Sequence, residues 1–545
     1  MKKIGIINLA VVLLLAGFFC GWSRQQAQAA LLTNASADVV IGQQNMTSNS
    51  PNQGNIALPG ANTFWGSREV TMAGDKLIAI DIENNRVLIF NSIPTSDNAS
   101  ADVVIGQSSM SGQDVNQGLS ADANTLNYAT GVFYDGSKLF IADGMNNRVL
   151  IYNSIPTSNN VRADVVVGQP NFTSSSANQG VVAGANTLNQ PNTMFSDGKK
   201  LFISDWGNNR VLVFNSIPTS NNANADFVIG QADLAGNAPN QGGSAAANTI
   251  FGPSYIFSNG KNLVIADRDN NRVLIYNSVP TQSNASANVV VGQANMNANE
   301  ANRSGAVGAN TLSAPRIVYL YGQKLLIADS DNNRLLIYNS IPTSNDANAD
   351  TVVGQPDLTS NSPNQGGSVK ANTFSYSPRG IFISKGKLIL GDYANSRLLV
   401  YNSFGSQWTI GRNHSKTLSG GEKIKVKKKK LEFSGKKTTY KKGYVRIYRN
   451  GVLAKKVKIK KSGKWSASFR DTGSAVKDFV IKYYNSHNTL QMNSETYTLG
   501  INRGGLNAAT LEKANYTGPA ENSVGENKSS PQKDWDFAGA KKNAR

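Results

Sequence analysis

A seven-residue phrase, Ala163-Asp164-Val165-Val166-Val167-Gly168-Gln169, recurs along the chain with its glycine at Gly42, Gly106, Gly168, Gly230, Gly292, Gly354 and, in degraded form, Gly411. A second phrase, Asn146-Asn147-Arg148-Val149-Leu150-Ile151-Tyr152, sets an arginine at Arg86, Arg148, Arg210, Arg272, Arg334 and Arg397, spaced 62, 62, 62, 62 and 63 residues apart. A period that strict means an array of one structural unit, and it limits the fold before anything else does.

Each unit carries four short β-patterned runs. In the second they are 131–134, 138–143, 148–153 and 164–168, rich in apolar and β-branched residues. Asp135-Gly136 marks the first hairpin turn, and Asn146-Asn147 supplies side chains that tolerate left-handed backbone angles in the second. Residues 155–158 form the third link, and the stretch 170–190 leads to the next unit. Four antiparallel strands repeated six times predict a β-propeller, in which each blade buries its faces against its neighbours. A β-helix needs shorter repeats, and a helical solenoid needs a 3.6-residue period that is absent.

The run Gly131-Val132-Phe133-Tyr134-Asp135-Gly136-Ser137-Lys138-Leu139-Phe140-Ile141-Ala142-Asp143, followed by Asn146-Asn147-Arg148-Val149-Leu150-Ile151-Tyr152, resembles an NHL repeat. Similar runs end at Asp81, Asp205, Asp267, Asp329 and Asp392, and the resemblance covers residues 37–411. It implies a six-bladed propeller with mainly binding roles and a minority of enzymes. There are seven strands of the Val-Val-Gly type and six sets of the other three. Either 38–42 or 408–411 therefore closes the ring, since a closed propeller leaves no open edge.

Charge divides the 545 residues sharply. The net charge is +19, yet residues 31–412 hold 22 basic and 25 acidic side chains, whereas residues 413–500 hold 22 basic and 5 acidic. This second segment alternates apolar and polar residues. Its Val445-Arg446-Ile447-Tyr448-Arg449-Asn450-Gly451 and Gly463-Lys464-Trp465 resemble bacterial immunoglobulin-like modules, which implies a sandwich over about 419–500. The expected fold class is thus all-β: a six-bladed β-propeller of 62-residue repeats (31–412) plus a small C-terminal antiparallel β-sandwich (413–500). Residues 501–545, poor in apolar side chains, read as a disordered tail.

At the other end, Lys2-Lys3, the apolar run 4–22 and the small residues Ala27-Gln28-Ala29 read as a signal peptide over 1–29, with a membrane anchor as the competing reading. The one cysteine, Cys20, lies inside it, so disulfides do not hold the mature protein. The expected location is extracytoplasmic: secreted, cell-surface or periplasmic.

The two histidines, His414 and His487, fall outside the repeats, which excludes a histidine-ligated metal or a Ser-His-Asp centre on the propeller. Asp267-x-Asp269-x-Asn271 mimics an EF-hand opening but has Arg272 and Ser278 where that loop needs glycine and glutamate. Leu418-Ser419-Gly420-Gly421-Glu422 spells an ABC-ATPase signature without the Walker A cradle it works with. No metal, cofactor or catalytic residue is assigned.

Binding is written where the repeats disagree. The residue before each innermost strand reads Arg68, Thr130, Asn192, Ser254, Arg316 and Arg379, and the closed ring makes the three arginines neighbours. They are expected at the channel mouth as bidentate donors to an anionic ligand, with Trp206 and Tyr393 as flat surfaces for a sugar or peptide side chain. The competing reading pairs these arginines with Glu69, Asp331 or the repeat aspartates. Lys427, Lys428, Lys429, Lys430, Lys436, Lys437, Lys441 and Lys442 are expected to attract polyanions by counterion release. Sequence-specific nucleic-acid binding is not expected, because stacking aromatics are sparse there.

The sequence therefore predicts a monomeric exported binding protein. Its propeller face would recognise an anionic carbohydrate, a peptide or a protein partner, and its basic half would tether it to envelope polysaccharide or another polyanion, peripheral membrane association included. The alternatives are a hydrolase or lyase acting on an extracellular carbohydrate or lactone through propeller carboxylates, and a structural surface component.

Overall fold

The computed structural model describes residues 33–402, apart from 377 and 385, and beyond them strands between 408 and 514. Six four-stranded antiparallel sheets follow one another in the first part, a six-bladed β-propeller. The second blade is Ala129–Tyr134, Leu139–Asp143, Arg148–Tyr152 and Val165–Val167, within two residues of the sequence reading at every end. The other innermost strands are Ser67–Ala73, Pro191–Ser196, Pro253–Ser258, Pro315–Tyr321 and Gly380–Ser384.

The sixth blade resolves the ambiguity over closure. Its outermost strand is Val39–Ile41 from the start of the propeller, antiparallel to Arg397–Tyr401 with Val40 opposite Leu399. Trp408–Gly411 instead pairs with Ala508–Ala514, a strand inside the stretch that composition reads as tail. Between 408 and 514 the strands form one six-stranded and one four-stranded sheet.

The repeated polar residues explain themselves once folded. In every blade the arginine Nε donates to the aspartate that ends the preceding strand, as in Arg86–Asp81 and Arg148–Asp143 at 2.8 Å, with both side chains fully buried. The Arg86 Nη2 donates to the Gly60 and Thr63 carbonyls before the blade, and Nη1 to the Met110 carbonyl after it. The other carboxylate oxygen of Asp81 accepts the Trp65 amide at 2.7 Å. Each pair thus satisfies the backbone of two interblade loops, a use of buried charge that works because nearly every donor finds an acceptor. Arg397 reaches the Met46 carbonyl at 2.6 Å, so the same device fastens the two ends of the ring.

The repeated glycine has a steric cause. Gly106 stands at φ +90°, and a Cβ there would lie 2.4 Å from the Leu126 side chain that plugs the next loop. Aromatic side chains on five blades touch one another in succession. Phe133, Phe195, Phe257, Tyr319 and Phe382 follow around the ring at centroid distances of 5.4, 5.4, 4.4 and 6.2 Å. They form an aromatic layer three residues beyond the aligned positions that begin each innermost strand.

Candidate functional site

The candidate site lies at the end of the propeller where the innermost strands begin. Antiparallel strands put the interblade loops, the start of each innermost strand and the second turn of each blade on this same face. Five innermost strands carry a register shift at their first residues, between Ser67 and Val70 in the first blade and at the matching place in the next four. Such bulges re-aim side chains, so two successive residues turn towards the axis where a regular strand would offer one.

The result is two rings. Arg68, Thr130, Asn192, Ser254, Arg316 and Arg379, the six aligned positions, all line one cavity, and Glu69, Thr193, Tyr255 and Ile317 from the next position line it below them. At that second position the second and sixth blades have Gly131 and Gly380. A Cβ on Gly131 would lie 2.6 Å from the Asn192 carbonyl oxygen and 3.0 Å from Glu69 Oε2, so the glycine makes the space the carboxylate occupies. The cavity measures about 10 Å³, the room one water needs.

The structure places the three arginines on the lining of this one cavity. Among the described residues none forms an ion pair with them. Arg68 donates Nη2 to Asn192 Oδ1, itself buried. Arg379 is 8% exposed. Its guanidinium sits over Tyr393, 3.6 Å from the ring centroid, and 5.2 Å from that of Tyr376, while Arg316 lies 5.8 Å from the centroid of Tyr376. The Nε atoms of Arg316 and Arg379 are buried without a hydrogen bond. Burial pushes all three guanidinium pKa values down to about 10, and a neighbouring arginine is the next cause in each case: Arg316 for Arg68, Arg379 for Arg316, Arg68 for Arg379. All three remain cationic at neutral pH.

One carboxylate lines the cavity with them, while Asp331 and Asp269 act on Arg316 from outside its lining without forming an ion pair with it. Glu69 is 2% exposed, accepts the Val132 amide at 3.0 Å and the Thr193 hydroxyl at 3.2 Å, and faces the Tyr255 hydroxyl across the channel. Four blades therefore meet at this one group. Burial raises its pKa to about 7 against the pull of these hydrogen bonds and of Arg68.

Tyr393 belongs to the site by supporting Arg379. One face of its ring carries the guanidinium, and its hydroxyl donates to Glu83 Oε1 at 2.7 Å; Glu83 also accepts the Tyr128 hydroxyl at 3.1 Å. Trp206 lies outside the cavity lining, at the junction of the third and fourth blades beside Asp269, which pairs with Arg268 at 3.0 Å. Of the lysine cluster, Lys427, Lys430 and Lys436 fall on strands whose side chains are outside the described residues, and Lys428, Lys429, Lys437, Lys441 and Lys442 lie outside them altogether. Tyr255 was not among the expected site residues, and Glu69 was expected only as a pairing partner for the arginines. Their signal in the sequence is the same as that of the arginines, a position where the repeats disagree, but one place further along. The alternation of a regular strand points that place away from the axis, and only the bulge reverses it.

No family model matches the chain, and no curated protein matches it. Solved structures do. An extracellular domain assigned to a hybrid two component system of Bacteroides thetaiotaomicron matches at 11% identity over 86% of this chain and 58% of that one, with a TM-score of 0.35. The periplasmic gluconolactonase of Pseudomonas aeruginosa matches at 11% identity over 74% and 88%, with a TM-score of 0.30. A Bacteroides uniformis protein described as a 6-phosphogluconolactonase matches at 15% identity over 49% and 65%, with a TM-score of 0.29. This chain spans less than two thirds of the length of both Bacteroides chains. At these identities and scores the likenesses carry no statement about what this chain binds or does.

Proposed function

We propose that the protein is an extracytoplasmic binding protein whose propeller captures an anionic ligand at the arginine-lined end of its channel. The observation that carries this reading is the convergence of Arg68, Arg316 and Arg379, from three blades, on one cavity that offers them a single carboxylate. Three cations, Arg379 buried and Arg68 and Arg316 half-buried, repel one another beside one lining carboxylate, and an incoming anion relieves that repulsion where water screens it poorly. The resemblance to NHL repeats, with its mainly binding roles, agrees with it. The N-terminal pattern supports export, and among the described residues no helix is long and apolar enough to cross a membrane. The lysine-rich segment 413–500 would add a salt-sensitive attraction to envelope polyanions.

A hydrolase or lyase has Glu69 alone to rest on in this cavity. That carboxylate is 2% exposed and held by three hydrogen-bond donors from other blades, with no second carboxylate lining the cavity to share acid and base roles, so binding is the better reading.

The test is calorimetric titration of acetate, chloride and polygalacturonate into the full chain and into the R68Q/R316Q/R379Q variant, across a salt series. Binding to the propeller should persist at high salt and vanish in the variant, whereas attraction through the lysines should fade with salt in both. Unchanged binding of every anion to the variant would sink the proposal.

A further inference from the structure

An anion seated among the three guanidinium groups shares its cavity with Glu69. Two negative charges in one poorly solvated pocket repel each other, so one of them tends to leave as the neutral acid. Glu69 is built to be that one. It is held by the Val132 amide, the Thr193 hydroxyl and the Tyr255 hydroxyl from three other blades, and either oxygen of a protonated carboxyl can still accept while the proton points at a new partner. The charged groups that face it are Arg68 on its own strand and Arg316 and Arg379 around the mouth. The titratable neighbour from the fourth blade is Tyr255, whose hydroxyl burial holds well above its ordinary range. Glu69 is thus the one cavity-lining group that titrates near neutrality, its carboxyl standing at about 7 before any ligand arrives.

Size adds a second constraint. The centre of a water-sized sphere has about 10 Å³ to move in, enough for at least one water, which suits a small anion, a halide ion or a single carboxylate group, better than a bulkier tetrahedral one.

Resting on the anion-binding reading above, we infer that the cavity takes a compact monoanion, a halide ion or the carboxylate end of a larger molecule, together with one proton that settles on Glu69. Binding and protonation then support each other by linkage. Affinity is flat at acid pH, where Glu69 already holds its proton. It falls as pH rises above neutrality, by up to about tenfold per pH unit, because the proton must then be drawn from solution.

The experiment is calorimetry on the full chain with chloride, acetate and sulfate at constant ionic strength, at pH 5.5 and 8.5, in buffers of different ionisation heat. Chloride and acetate form the two arms that tell a halide site from a carboxylate site. At least one of them should bind about tenfold or more tighter at pH 5.5, take up close to one proton per anion at the higher pH, and exceed sulfate at both. E69Q should bind that anion equally at the two pH values without proton uptake. Tight binding with no pH dependence and no proton uptake by the natural chain would overturn the coupling while leaving the anion site standing. Sulfate binding as tight as both monoanions would overturn the size selection. No binding of any of the three overturns this inference and the anion site together.

Discussion

The Arg379 guanidinium sits over the ring of Tyr393, 3.6 Å from its centroid, and the Tyr393 hydroxyl is fastened to Glu83 at 2.7 Å. The arginine immediately precedes the sixth blade's innermost strand, the tyrosine comes from the turn between that blade's middle strands, and the glutamate from the first blade. A cation on an aromatic face gains about 0.5–2 kcal/mol without being neutralised. The stack therefore fixes Arg379 in place and leaves its charge for a ligand. Tyr393→Leu should weaken anion binding about three- to tenfold through lost positioning, with little change in unfolding temperature. Tyr393→Phe, which keeps the ring, should bind nearly as the natural chain does. Equal affinities in a side-by-side calorimetric titration of both variants would show that the stack is idle.

The repeat pairs should behave in the opposite way. Arg148→Met leaves Asp143 buried without its guanidinium partner and strips the Asp122 and Thr125 carbonyls of their donor. Breaking a buried pair from one side costs about 3–5 kcal/mol, which chemical denaturation should register as a large drop in midpoint. Arg316→Gln, at the mouth, should cost far less stability or even raise it, since a cation repelled by its neighbours is removed.

Ring closure gives a truncation test. Val40 and Ile41 are wholly buried in the sixth blade, and each such side chain contributes about 1.5–3 kcal/mol. A chain of residues 33–402 should keep a single cooperative unfolding transition, because every strand of the ring is present. One beginning at residue 44 loses the outermost strand, exposes the edge of Arg397–Tyr401, and should unfold at markedly lower temperature or aggregate.

Glu69 makes stability depend on pH. Its folded pKa of about 7 stands above the ordinary value of 4.5, so the folded chain holds a proton that the unfolded chain has released between these limits. Its contribution is therefore most favourable below pH 4.5 and declines as pH rises to about 7, by roughly 3 kcal/mol in all. Glu69→Gln should remove that decline. Denaturation midpoints of the two chains, compared from pH 5 to 8, should converge at the acid end and separate at the alkaline end.

Gly131 tests the geometry of the second ring. Any side chain there meets the Asn192 carbonyl at 2.6 Å and the Thr193 Cα at 2.8 Å, backbone atoms that cannot swing aside. Gly131→Ala should cost about 1–3 kcal/mol by overpacking. It should also displace Glu69, so the pH dependence of stability should shrink in the same variant.

Much of this was legible in the chain. Arg86 and its five equivalents recur at 62 or 63 residues, and a residue demanded by every blade can only serve the blade, as its pairing with Asp81 and the loop carbonyls bears out. Arg68, Arg316 and Arg379 stood out by the reverse logic. Glu69 was legible as a non-repeated carboxylate beside the arginines, but whether it pairs with them at the rim or lies buried in the channel depends on a bulge, which is a property of the ladder between two strands. Tyr393 was legible as an aromatic on the right face, but whether its ring meets a ligand or a neighbouring arginine depends on a residue fourteen positions away.

Strand lengths, turn chemistry, the repeated arginine and aspartate and the number of blades are all written in the chain, because each is settled within about sixty residues and repeated until the pattern is plain. Which end of the chain closes the ring is settled in the fold, since the 38–42 and 408–411 strands satisfy the same local pattern and differ only in what lies beside them. The fold likewise decided that Glu69 joins the arginines in one small cavity. Ring closure already makes the three arginines neighbours, but the glutamate reaches them only because the ladder bulges at the start of its strand.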